Sequence, residues 1–365
     1  MSERSLLADA VATFFGEQCA GEVVEHIEAG ADARPLWNDT EELGLTLASV
    51  PEEAGGGGGT LVDGLTVLRS AGRQAVPLPL AETGLLAGWA LAEAGLQVPE
   101  GMIAVAPVRR EDRVTITVDG DTAVLEGRAL RVPWAAAADH LVVVAEDADG
   151  ALHTALIAPS DAAIEPGLSI AHEPRDTVVL SGVRVAAGAF APLPATIDEL
   201  QLRGALSRSV QMLGAMEKAL EISVQFAKDR AQFGRPIAKF QAVQHMLAGI
   251  AREVAVSRSA VELAATAASE NGVTEAWLEI AAAKVVTGRA AGLVSAPAHQ
   301  VHGAMGVTKE YHLSILTRRM WSWRDEFGRE SYWAQRIGAA AFASDGGVWD
   351  LVSSGRVPLD LARTA

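Results

Sequence analysis

The residues best suited to chemistry lie at 230–241, Arg-Ala-Gln-Phe-Gly-Arg-Pro-Ile-Ala-Lys-Phe-Gln. Arg230 offers a planar fork that can bind a phosphate through two parallel hydrogen bonds. Phe233 offers a face for a flat ring. Gln241 offers an amide that both donates and accepts. Together they suit a nucleotide-type ligand. The spacing is equally satisfied by a plain helix hairpin whose arginine caps a helix C-terminus.

Two long helices must hold this stretch. Upstream, over 198–228, Leu202, Leu206, Val210, Leu213, Leu220 and Val224 recur at helical spacing. Downstream, over 240–268, Phe240, Val243, Leu247, Ile250, Val254, Val261 and Leu263 do the same. Gly234 and Pro236 end the first helix and prepare the second. Thr274 reads as the N-cap of a further helix to Ser295 with an alanine-rich face, and 331–343 as one more.

The first 98 residues also read as helical, with helices at 5–15, 36–47, 61–75 and 81–94. Between the second and third stand five consecutive glycines, Gly55 to Gly59. Five glycines cannot form a helix interior. They read as a flexible linker or, inside a compact helical pattern, as a close-packed loop or a site edge. Over 101–185 the pattern changes to strands at 102–106, 114–118, 123–125, 129–132, 141–145, 154–158 and 177–180. Asp119-Gly120 and Asp149-Gly150 supply turns. Strands so spaced predict a small antiparallel barrel or sandwich. Pro192 and Pro194 mark the return to helix.

The chain of 365 residues is 49% hydrophobic, enough for a sizeable core in two or three domains. A formal charge of -16 argues against nucleic acid or an anionic membrane as main partner. Cys19 is the single cysteine, which excludes an intrachain disulfide and a cysteine-rich metal site. His245, His302 and His312 are too scattered for a metal set. Neither a signal peptide nor a membrane-length apolar run is read in the sequence, so the expectation is a cytoplasmic protein with no membrane partner.

The order of elements and two helical motifs resemble the acyl-CoA dehydrogenase family over nearly the whole chain. In the N-terminal part the likeness lies in Leu36-Trp37, Glu42-Leu43-Gly44, Val50-Pro51-Glu52-Glu53 with the glycines, Gly72-Arg73 and the run Pro77-Leu78-Pro79-Leu80-Ala81. In the C-terminal part Asp229-Arg230-Ala231-Gln232-Phe233-Gly234 with Gln241 is similar to R-x-x-F-G…Q. His299-Gln300-Val301-His302-Gly303-Ala304-Met305-Gly306 is similar to Q-x-x-G-G-x-G. The resemblance implies an α+β, mostly α fold: an N-terminal helical domain (1–98), a middle antiparallel β-domain (99–195) and a C-terminal four-helix bundle (196–365). It implies FAD as cofactor and subunits that pair across the bundle. It further implies α,β-dehydrogenation of an acyl-CoA thioester, with electron-transfer flavoprotein as electron acceptor. Arg230, Phe233 and Gln241 would reach FAD held mainly by a neighbouring subunit. Gln300, Val301, His302, Gly303 and Ala304 would line its pyrophosphate side, where glycines let backbone approach closely. Trp134, in Pro133-Trp134-Ala135-Ala136, is the candidate flavin-ring contact.

Two departures from the family qualify this. Its Glu-Gly-Thr, which carries the proton-abstracting base, falls on Phe327-Gly328-Arg329 when counted without gaps from Gly303. Glu326 and Asp325 lie just before it, and each is either a shifted base or a solvated loop charge beside Trp321, Trp323, Arg324 and Arg329. The family's other base position falls near 203–205, Arg-Gly-Ala, which has no carboxylate, and Glu199 is about a turn too early. The flavin-contacting T-E-P-x-x-G-S-D loop is absent from 101–112 as well. This pattern resembles the family's heteromers, in which one subunit supplies the base and the other completes the FAD site. The expectation is the completing subunit of such a heteromer. The alternatives are a self-sufficient enzyme using Glu326 or Asp325, and a non-redox scaffold or CoA-ester-binding subunit. The alanine and glycine along the bundle are compatible with a bulky acyl group such as a steroid side chain.

Overall fold

The computed structural model describes residues 3–19, 21–308, 311–344 and 346–354. Helices α1 (Glu3–Gln18), α2 (Gly21–Glu28), α3 (Arg34–Glu42) and α4 (Leu61–Gln74) come first, then a π-helix (Ala81–Ala87) and α5 (Gly88–Glu93). Strands β1 (Ile103–Ala106), β2 (Arg113–Asp119), β3 (Thr122–Pro133), β4 (His140–Glu146), β5 (Leu152–Ile157), β6 (Ala163–Glu165), β7 (Arg175–Val185) and β8 (Phe190–Pro192) follow. Then come α6 (Ile197–Asp229), the short strands β9 (Ala231–Gln232) and β10 (Arg235–Pro236), and α7 (Gln241–Asn271). After these stand α8 (Trp277–His302), α9 (His312–Asp325), α10 (Glu330–Ala343) and α11 (Gly347–Ser354). The last stretch of the expected bundle, 355–365, lies outside the described residues.

The chain forms two compact units. A helical unit comprises the described residues of Met1–Ala29, Leu65–Val76 and Ala205–Ala365, and a sheet unit comprises Gly30–Gly64 and Pro77–Gly204.

In the sheet unit the strand order is β6-β7-β3-β2-β4-β5-β8. The neighbours pair antiparallel, except that β1 and β2 run parallel to β4. The sequence reads β3 as two strands because bulges at Leu125/Glu126 and Ala129/Val132 break its alternation against β7. Between them Gly127, at φ +141°, is needed because a Cβ there would lie 2.4 Å from the Arg113 carbonyl oxygen. The helix expected over 81–94 starts as a π-helix. There Thr83 Oγ1 accepts from the Ile103 N–H (3.0 Å) and donates to the Ile103 carbonyl (3.1 Å), tying the turn to β1. Gly55 to Gly59 form a close-packed loop and not a flexible linker. The N–H groups of Gly56, Gly57, Gly58 and Gly59 donate to the carbonyls of Pro51, Leu47, Val50 and Ala48. A Cβ on Gly56 would lie 2.2 Å from the Val50 carbonyl oxygen, so no side chain fits.

In the helical unit α4 crosses α6 at a glycine pair. A Cβ on Gly214 would sit 2.1 Å from the Arg69 carbonyl oxygen, and one on Gly72 would sit 2.3 Å from that of Gln211. Beside the crossing, Arg69 donates to both oxygens of Glu217 (3.1 and 2.6 Å), and Arg258 donates to Oε1 (3.0 and 2.8 Å). Those bonds hold the Glu217 carboxyl below its ordinary range against the opposing effect of burial. Gly214→Ala is expected to cost about 1–3 kcal/mol by urea denaturation, because the obstacle is backbone and cannot rotate away. Gly249→Ala in α7, where nothing lies within 4 Å, should gain about 0.5–1 kcal/mol from helix propensity.

The alanine face of α8 is confirmed: Ala281, Ala283, Ala290, Ala291 and Ala298 are all buried. Its start is not where the sequence puts it. Thr274 lies in a turn, the helix begins at Trp277 with no side-chain cap, and it continues through Pro297 to His302. Leu263, expected on the apolar face of α7, is 61% exposed. Among the described residues no helix is long and apolar enough to cross a membrane, and no His, Cys, Asp and Glu cluster could hold a metal ion.

Candidate functional site

The break between α6 and α7 is a miniature β-hairpin. β9 and β10 pair antiparallel, Gln232 with Arg235, and the two residues between them both have positive φ: Phe233 at +53° and Gly234 at +78°. That is the dihedral signature of a tight primed turn. Glycine adopts it freely, whereas a phenylalanine there is strained. The strained Phe233 is also 92% exposed, 6.1 Å from the Phe240 ring in an edge contact. Arg235 lies over the Phe240 ring at 4.3 Å.

Arg230 follows α6 directly. Its N–H donates to the Phe226 carbonyl (2.8 Å) and its own carbonyl accepts from Ile237 N–H (2.8 Å). Its guanidinium is exposed, with no protein partner among the described residues. Gln241 is exposed on the first turn of α7.

The second motif lies at the C-terminus of α8. Gln300 is exposed, while Val301 and His302 are buried. Gly303 takes φ +61° and ψ −141°, a region open essentially to glycine alone. Gly303 and Ala304 are exposed beyond it. The fold brings the two motifs together, since Val301, Ile237 and Ala227 form one apolar cluster with Phe226, Phe240 and Val243 packed on it. The side chains of Val301 and His302 therefore face protein, and only their backbone is left for a ligand.

The candidate base residues and Phe327 lie at the corner between α9 and α10. Phe327 is 4% exposed, at φ +50°, and its carbonyl accepts from the Trp333 indole N–H (2.9 Å). Gly328, at φ +87°, leaves no room for a Cβ, which would lie 2.6 Å from Trp333 Nε1. Glu326 is not a solvated loop charge. Its side chain is 10% exposed, and it accepts from Arg208 Nε (2.7 Å) and Ser322 Oγ (3.3 Å). Arg208, 2% exposed, also donates to Gln211 Oε1 (2.7 Å) and stands 5.6 Å from the Phe327 ring centroid. Asp325 is the half-exposed last residue of α9 and pairs with Arg329 (3.1 Å). Lys284 Nζ donates to the carbonyls of Arg324 (2.7 Å) and Trp323 (3.3 Å), closing the last turn of α9. Burial pushes its ammonium down to about 7. Trp323 and Trp333 are core residues, while Trp321 is 37% exposed.

In the sheet unit Trp134 is 6% exposed, in a left-handed turn at φ +62° whose N–H donates to Pro174. Residues 101–112 form a buried strand and a loop held by the chain itself. Gln201 donates to the Val108 carbonyl (3.1 Å) and Arg110 pairs with Asp198. Arg203 donates to Glu199 (3.0 and 3.2 Å) and stacks at 4.2 Å on Trp89.

The sequence reading missed Arg208, Lys284, Phe226 and Tyr311. The first two left a trace as charges on otherwise apolar helix faces. The aromatic pair left none, because its members lie on different elements.

Two family models match the chain: "Acyl-CoA dehydrogenase, N-terminal domain" over residues 1–97 and "Acyl-CoA dehydrogenase, C-terminal domain" over 200–340, together more than half of it. The chain is 27% identical over 324 residues to the acyl-CoA dehydrogenase IpdE2 of Mycolicibacterium smegmatis, covering 87% of this chain and 92% of that protein. Among solved structures it is similar to the ChsE4-ChsE5 complex from Mycobacterium tuberculosis, with a TM-score of 0.86, 24% identity, and coverage of 94% of this chain and 98% of that one. It is similar too to a variant of the Tcur3481-Tcur3483 steroid ACAD, with a TM-score of 0.82, 26% identity, and coverage of 97% and 98%. The arrangement of helices and sheet, the two motifs at the ends of α6 and α8 and both family models agree: the chain belongs to the acyl-CoA dehydrogenase family.

Proposed function

We propose that this chain is the FAD-completing subunit of a heteromeric acyl-CoA dehydrogenase and lacks a proton-abstracting base of its own. The observation that carries this reading is Phe327. At the position of the family's glutamate stands a buried ring in a strained backbone, with its carbonyl already engaged. Its neighbour Glu326 is turned onto Arg208 of α6, whose guanidinium engages its carboxylate. Two solved relatives named as two-component proteins, ChsE4-ChsE5 and Tcur3481-Tcur3483, support the heteromer, and the second, a steroid ACAD, suggests a bulky acyl group.

Members of the family bind FAD, which supplies the hydride acceptor, and the donor set here fits that group. Arg230 would hold a phosphate, Phe233 would cover a flat ring, and the amides of Gln241 and Gln300 would bond polar edges. Around Gly303 and Ala304 the exposed backbone admits a phosphate without obstruction by a side chain. On this reading the companion subunit supplies the carboxylate that takes the α-proton. Electron-transfer flavoprotein is the electron acceptor.

A visible spectrum tests the proposal. The expected result is a chain that is colourless alone and becomes yellow, and active on an acyl-CoA, only with a companion carrying the glutamate. A chain that is yellow alone and bleaches with an acyl-CoA would establish self-sufficiency, with Glu326 or Asp325 as base. No flavin with any companion would favour a scaffold.

A further inference from the structure

We propose that His302 is a positioning residue that couples the Arg230 turn to the Gly303 segment, so that both meet the dinucleotide as one rigid surface. The coupling is a property of the chain itself. Its purpose rests on the reading that these two segments face FAD.

The imidazole of His302 is 4% exposed and packs against two aromatic rings. Its centroid is 4.4 Å from that of Phe226 at an interplanar angle of 31°, and 5.0 Å from that of Tyr311. Phe226 and Tyr311 complete the triangle at 6.3 Å, edge to face. These separations are those of favourable aromatic pairs. Nδ1 lies 2.8 Å from the Ala298 carbonyl. A carbonyl only accepts, so Nδ1 carries the proton, and this bond fixes the ring orientation on α8. Burial holds the imidazole below its ordinary pKa, which keeps the ring neutral between its neighbours.

The covalent positions of the three rings give the clamp its consequence. Phe226 is one helical turn before Arg230, and its carbonyl receives the Arg230 N–H that closes α6. His302 immediately precedes Gly303, whose dihedrals turn the chain sharply out of α8. Tyr311 directly precedes α9. A single ring contact therefore joins the residue that launches Arg230 to the residue that launches Gly303. The apolar cluster of Ala227, Ile237 and Val301 lies beside it but fixes only distance. The hydrogen-bonded imidazole, tilted against both rings, also restrains rotation. Binding energy is then not spent on ordering two separate segments.

Hydrogen exchange on the full chain without FAD tests the coupling directly. In His302→Ala the amides of 226–237 and 300–308 should exchange about tenfold faster than in the wild type, while the centres of α7 and α8 stay unchanged. His302→Phe, which restores the ring without the imidazole, should bring both segments back to within about threefold. Unchanged exchange at 226–237 in His302→Ala overturns the coupling. Equal acceleration across all the helices overturns it too, since that is general loss of packing. FAD titration of the flavin-binding form, chain or complex, separates the purpose from the coupling. If both segments loosen and Arg230→Ala weakens FAD binding, His302→Ala should weaken it about tenfold as well. If Arg230→Ala does not weaken it, the reading of these segments as an FAD surface fails, while the exchange result stands.

Discussion

Arg230→Ala should weaken FAD binding by about 10- to 100-fold while leaving the melting temperature of the protein unchanged. Both halves of that expectation follow from the same observation. The guanidinium is exposed and makes no bond to the protein among the described residues, so its loss removes nothing from the fold. Toward a phosphate it would contribute charge-assisted hydrogen bonds worth about 1.5–3 kcal/mol, or roughly one to two powers of ten in affinity. Arg230→Lys keeps the charge and loses the two-pronged geometry, so it should fall between the two. The measurement is flavin fluorescence on titration into the assembled protein, with absorbance at the flavin band giving occupancy. Wild-type affinity in Arg230→Ala would remove the turn from the FAD site. A parallel fall in melting temperature would mean that the arginine caps α6, as spacing alone equally allowed.

Much of this was legible because it is written locally. Gly234 and Pro236 interrupt two helical periodicities, and the break they predict over 230–241 is where β9 and β10 form. The helices on either side agree with their patterns to within a few residues at each end. What the sequence misplaced depends on partners far along the chain. The π-helix at Ala81–Ala87 answers to Thr83 bonding Ile103, and nothing near residue 81 announces that. The two-strand reading of β3 failed because bulges are set by β7, some fifty residues on. The five glycines were ambiguous because composition alone does not distinguish a chain that must bend freely from one that must pack on its own carbonyls. At the site the same division holds. Motifs single out Arg230, Phe233, Gln241, Gln300 and Gly303 as candidates, whereas the ring contacts of His302 with Phe226 and Tyr311 join different elements and leave no local pattern.

Glu326 is the sharpest case, and it leads to the second large effect. Read along the chain, Asp325 and Glu326 are adjacent acids among arginines and tryptophans. In the fold they part: Asp325 is half exposed beside Arg329, while Glu326 turns inward onto Arg208 from α6. Arg208→Met should lower stability by about 3–5 kcal/mol in urea denaturation, because it leaves a buried carboxylate without its cation. Lys284 also interacts with Glu326 electrostatically, but its Nζ hydrogen-bonds the carbonyls of Trp323 and Arg324. The double variant Arg208→Met/Glu326→Leu should recover most of that loss, since replacing both members of a buried pair by apolar groups of similar volume is often neutral. Glu326→Gln separates structure from chemistry at the same position. An amide keeps the size and still accepts a hydrogen bond, but it cannot take a proton. If Glu326 is structural, this variant should melt earlier yet, once assembled with its companion, turn over an acyl-CoA within about twofold of the wild type. A general base contributes about 10²–10⁴-fold, so a fall of that size would make Glu326 the catalytic residue and the chain an enzyme in its own right. The Arg208 pair places the expectation on the first outcome, because the Glu326 carboxylate is already engaged by a buried guanidinium.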